Sequence, residues 1–144
     1  MKRFHFRLER VVRVREIERD RARGDWAAAQ AQQTAIQTRV EQVREAASAE
    51  SAGMLLGGGG DATSLRAAAF RSGLRAQALV QARAELVDAQ QVTEQTAVVL
   101  RDAAQRVDAL GRLERRQREE WQLDVRRDEA KEMDDIATTR AGVR

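Results

Sequence analysis

The side chains able to carry chemistry are few and scattered. His5, the one histidine of the chain, stands between Phe4 and Phe6 in a charged leader. With no cysteine and no second imidazole, it completes neither a zinc set nor a nucleophile–base pair. Carboxylates adjoin at Glu119–Glu120 and Asp134–Asp135, but in helical, charge-dense sequence such pairs belong to a solvated face. Gly57-Gly58-Gly59-Gly60 is not a phosphate loop, because the GK[ST] ending and the preceding strand are missing. No catalytic residue, no metal set, no cofactor and no small-molecule substrate is therefore expected.

What remains is charge and apolar surface, the means of binding other macromolecules. Residues 1–23 carry nine basic side chains against four acidic ones, 24–111 eight against ten, and 112–144 nine against nine, so the basic excess is local to one end. A basic amphipathic helix attracts nucleic acid or an anionic membrane surface. Here, though, Glu9, Glu16 and Glu18 interrupt the arginines and nothing downstream supplies a second basic stripe. An acidic protein groove that takes up the helix end is served by the same charges, and it also uses Phe4, Phe6, Leu8 and Val11.

The elements that would position these residues are helical. The chain has no proline and no tyrosine and is rich in alanine, arginine, glutamine and glutamate, the composition of long helices and coiled coils. The strong interruption is the glycine run, where four glycines cost a continuous helix about 4 kcal/mol. Ser51 and Gly53 before the run, and Asp61, Thr63 and Ser64 after it, mark a loop over residues 51–63 with helix N-caps on its exit side. The expected architecture is all-α: a long antiparallel two-helix coiled-coil hairpin over residues 1–144. Helix one spans about 4–50 and helix two about 62–138, with a frayed tail at 139–144.

Both helices show the alternation of four- and three-residue steps that marks a coiled-coil seam. In helix one the row is Ala22, Trp26, Ala29, Gln33, Ile36, Val40, Val43, Ala47. In helix two it runs Leu65, Ala69, Ser72, Ala76, Leu79, Arg83, Leu86, Gln90, Thr93, Ala97, Leu100, Ala104, Val107. Alanine and polar residues bury little apolar area, so the hairpin is expected to be of modest stability. Pairing Glu50 with Thr63 puts Phe4 near Ala109, and the helix beyond Leu110 then overhangs by roughly 40 Å at 1.5 Å per residue. That overhang carries Leu110, Leu113, Trp121, Val125, Met133 and Ile136, together with the i,i+4 pairs Glu114–Arg118, Arg115–Glu119 and Arg116–Glu120. Nothing in the chain would bury Trp121 on this pairing, which makes it a partner contact. Phe70 and Leu74 lie off the seam close to the loop, either wrapping its edge or forming a second docking patch. Gly73 and Gly111 are candidate bends.

No stretch approaches the roughly 20 apolar residues of a membrane span, and the first residues lack the apolar core of a signal peptide. A cytoplasmic location is expected.

Two segments carry a family resemblance. Met1-Lys2-Arg3-Phe4-His5-Phe6-Arg7-Leu8-Glu9-Arg10, with its F-x-F-x-L pattern, resembles the opening of the FliJ family of flagellar export proteins. Glu132-Met133-Asp134-Asp135-Ile136-Ala137 resembles that family's closing pattern of an apolar residue, two acids, an apolar residue and alanine. The resemblance implies a non-enzymatic coiled-coil stalk of the type III export apparatus, similar in shape to the gamma subunit of rotary ATP synthases. It implies three partners: the hexameric flagellar export ATPase, the cytoplasmic domain of the export gate membrane protein, and flagellar substrate chaperones. It also implies a cytoplasmic place at the flagellar base, peripheral to the inner membrane. The ATPase-facing residues would be Phe4, Phe6, Leu8, Val11, Trp121, Met133 and Ile136. The gate-facing residues would be Phe70 and Leu74, with Gln77 and Gln81 as polar departures from the family's gate segment. The alternatives are a generic coiled-coil scaffold or dimerisation module, which would bury Trp121 by self-association, and a basic helix binding nucleic acid or membrane.

Overall fold

The structure is a computed structural model that describes residues 3–56 and 60–141. Two long helices, α1 (Glu9–Leu56) and α2 (Ala62–Ala141), pack against each other, and no strand occurs among the described residues. The chain divides into two packed units. One comprises Met1–Asp20 with Arg101–Arg144, and the other Arg21–Leu100.

The helix limits differ from the sequence expectation at three points. Residues 4–8 precede α1, which starts at Glu9, where the amide donates to the Phe6 carbonyl at 3.2 Å. At the other end α1 does not stop at Glu50 but continues to Leu56. Its serines do not break it because their hydroxyls donate back to helix carbonyls, Ser48 to Glu45 and Ser51 to Ala47. Thr138 and Thr139 do the same to the Asp134 and Asp135 carbonyls, and α2 extends to Ala141 rather than fraying from 139. Gly57, Gly58 and Gly59 of the expected loop, and residues 142–144 of the expected tail, lie outside the described residues. The expected cap is present: Asp61 Oδ1 accepts the Ser64 amide at 3.0 Å, and the Ser64 hydroxyl donates to the Asp61 carbonyl. α2 continues through both Gly73 and Gly111.

In the Arg21–Leu100 unit the α1 row stands as expected. Ala22, Ala29 and Val40 are buried, and Trp26, Gln33, Ile36, Val43 and Ala47 are half-buried. The α2 row stands only in its second half, where Thr93, Ala97 and Leu100 are half-buried as expected, as are Ala104 and Val107 of the other unit. Before it, Leu65, Ala69, Ser72, Ala76, Arg83 and Gln90 are exposed, while Ala82 and Ala89 are buried beside half-buried Leu79 and Leu86. The order of the three- and four-residue steps is reversed between Leu79 and Leu86 and again between Leu86 and Thr93. That reversal places alanine on the seam, where backbones come close, and leaves the Arg83 charge in water. Thr93 costs little on the seam because its hydroxyl donates to the Ala89 carbonyl at 2.9 Å.

Polar clasps across α1 and α2 correct the pairing. Glu50 meets not Thr63 but Arg71 (3.2 Å) and Arg75 (2.7 Å), eight and twelve residues farther along, and Arg75 also donates to the Ala46 carbonyl. Arg39 pairs with Glu85. α1 carries six more residues before the turn than its sequence suggested, and that extension moves the pairing in this direction.

In the other unit Phe6 is buried, only 5 % exposed, and Phe4 lies against Trp121 rather than near Ala109. Leu110, Leu113, Trp121 and Val125 are half-buried, so the stretch from 110 to 125 is packed and not an overhang. From Arg126 to Thr139 every residue is exposed.

Candidate interaction surfaces

The seven residues expected to face an ATPase ring all belong to the Met1–Asp20 and Arg101–Arg144 unit, where they fall into two groups. Phe4, Leu8 and Trp121 are half-buried and Phe6 is buried, so these four hold the leader onto α2. The Phe4 and Trp121 ring centroids are 5.9 Å apart at an interplanar angle of 55°, a tilted aromatic contact. The Arg118 guanidinium sits 5.2 Å from the Phe4 centroid while its Nη2 reaches Glu114 at 2.7 Å. Glu114 thus aims the cation at the electron-rich ring face. Of the three i,i+4 pairs expected here, this is the one formed; Arg115 instead donates to the Gly111 carbonyl.

Val11, Met133 and Ile136 form the second group. They are 40 %, 69 % and 50 % exposed, and an apolar side chain so placed is free to enter another surface. Trp121 is corrected from a free contact to a partner of Phe4. A groove of about 700 Å³ adjoins it, lined by Arg3 and Phe4 of the leader and by Trp121, Val125, Asp128, Glu129 and Glu132 of α2.

Phe70 and Leu74 belong to the Arg21–Leu100 unit and are 69 % and 50 % exposed, so they do not wrap the seam. Gln77 and Gln81 are exposed as well. Sequence reasoning missed the exposed valines Val80, Val87 and Val98 on the same helix. Their signal was a second four–three periodicity, hidden because one seam per helix had already been assigned.

Asp61 is held below the usual carboxylate value by the backbone and hydroxyl hydrogen bonds of Ser64. Among the described residues no three His, Asp or Glu side chains converge as a metal set, and no helix is long and apolar enough to cross a membrane.

One protein-family model, that of the flagellar FliJ protein, matches this chain over residues 4–144. No curated protein and no solved structure matches it.

Proposed function

The chain belongs to the flagellar FliJ family, and we propose that it is the non-enzymatic stalk that couples the export ATPase ring to the rest of the type III export apparatus. The observation that carries this reading is the family match across essentially the whole chain. In form the stalk is an antiparallel hairpin with a projecting C-terminal helix. The pairs Arg39–Glu85 and Glu50–Arg75 in one unit, and Phe4–Trp121 in the other, support the antiparallel course. The exposed run from Arg126 to Thr139 supports the projection.

The two helix ends enter the central hole of the hexameric ATPase. Met133, Ile136 and Val11 supply the apolar contacts, and Phe4, Phe6, Leu8 and Trp121 hold the two ends as one body. Mixed charge of nine bases and nine acids over 112–144 lets the end touch each subunit without locking to one. Contacts to several subunits favour the assembled ring by mass action, which raises ATP turnover without a catalytic group on the stalk. Phe70 and Leu74 offer the export gate's cytoplasmic domain an apolar pair. Substrate chaperones are further partners, and the site of action is the cytoplasmic face of the inner membrane at the flagellar base.

The test is a binding titration of the purified export ATPase with this chain and with its Met133→Asp/Ile136→Asp variant. The variant should keep the helicity of the parent while binding the ring at least tenfold more weakly, a loss of about 1.4 kcal/mol or more. Equal binding by the two proteins would move the ring contact away from this end.

A further inference from the structure

α2 carries two rows of heptad spacing within the Arg21–Leu100 unit, and α1 covers one of them. The covered row is Leu79, Ala82, Leu86, Ala89, Thr93 and Leu100. The second row begins at Gly73 and steps by four and three through Gln77, Val80, Ala84, Val87, Gln91, Glu94 and Val98. At 100° per residue it lies on the opposite side of the helix from the first, and every member is exposed. Val80, Val87 and Val98 are 68 %, 52 % and 45 % exposed. The solvated back of a helix ordinarily carries charge, but this row has one charged residue, Glu94, across more than three heptads. It has the periodicity and the polarity of a seam.

We propose that this outer row is a self-association seam, at which two copies of the chain pair α2 against α2 in antiparallel alignment. The residues of the row complement themselves in that alignment. Val87 meets Ala84 of the second copy, Val80 meets Gln91, and Glu94 meets Gln77, whose amide donates to the carboxylate. Val98 meets Gly73, above which a Cβ would find nothing within 4 Å. Val87 against Ala84 and Val98 against Gly73 set a larger side chain opposite a small residue, as interdigitating packing requires. On the flanks Arg83 and Asp88 meet Gln90 and Gln81 of the second copy, so no like charges are brought together. The parallel, in-register alternative sets Glu94 against Glu94, two carboxylates desolvated with no cation between them, and it is disfavoured for that reason. With two glutamines, a glycine and an alanine on the row, the association is weak and reversible.

The chain has no cysteine, so introduced thiols report alignment directly. Sedimentation equilibrium of the full chain over the micromolar to near-millimolar range should show a monomer–dimer equilibrium. Val80→Asp/Val87→Asp should weaken it about tenfold or more at unchanged helicity, since both positions are exposed in the single copy. Under mild oxidation Val80→Cys with Gln91→Cys should form covalent dimers, whereas Val80→Cys alone should not. A chain that stays monomeric throughout overturns the proposal, as does a dimer indifferent to Val80→Asp/Val87→Asp. Covalent dimers of Val80→Cys alone overturn the antiparallel alignment.

Discussion

Asp61 and Glu50, on either side of the turn, show how single side chains hold this fold. The Asp61 carboxylate accepts the Ser64 amide, and that bond lowers its proton affinity in the folded chain. Because the folded value lies below the unfolded one, the cap's contribution is fully present above the ordinary carboxylate range. It is lost as pH falls through the folded value. Protection of the Ser64 amide, its exchange rate compared with the intrinsic rate at the same pH, should therefore fall on acidification, and Asp61→Asn, an equally good cap that does not titrate, should leave that protection independent of pH across the carboxylate range. Glu50 is the other anchor: its side chain is only 17 % exposed and faces both Arg71 and Arg75. Glu50→Gln leaves two arginines side by side without their acid. It should cost about 1 kcal/mol, read as a lower thermal midpoint.

The elements were legible in part, and the failures have physical causes. The α1 row from Ala22 to Ala47 could be read directly, because Trp26, Ile36, Val40 and Val43 fix its phase and no competing apolar row runs beside it. The α2 row could be read from Thr93 to Val107 but not before it, where Leu65 at its start is 64 % exposed. Alanine fits either side of a helix, so its surplus on the first half of α2 leaves the phase open there. The pairing was displaced for a related reason: Ser48, Ser51 and Gly53 look like helix breakers, yet α1 runs through all three. The aromatic contact of Phe4 with Trp121 depended on that pairing, so no reading of Trp121 by itself could have found it. Helix glycines offer a test at this scale. A Cβ at Gly24 would meet nothing within 4 Å, and Gly24 lies inside α1, so Gly24→Ala should stabilise the chain by roughly 0.5–1 kcal/mol in thermal denaturation.

At the scale of the whole molecule, the alanine-rich seam and the exposed apolar positions fit one account. Ala22, Ala29, Ala82 and Ala89 allow the helices to pack while burying little area, and clasps such as Glu50–Arg75 add to a thin core. Large apolar side chains are meanwhile left in water at Met133 and Ile136 near the C-terminus, and at Phe70 and Leu74 on α2. A thin core with apolar residues outside is what the proposed stalk, completed by its partners, requires. For the proposed stalk role the partner to test is the export ATPase. The most direct measurement is the ATP turnover and hexamer formation of that purified ATPase, with and without this chain at micromolar concentration. A stalk that enters the ring should raise both together, and the Met133→Asp/Ile136→Asp variant should raise neither. Turnover and assembly unchanged by the parent chain, under conditions where the ATPase alone is active, would contradict the account.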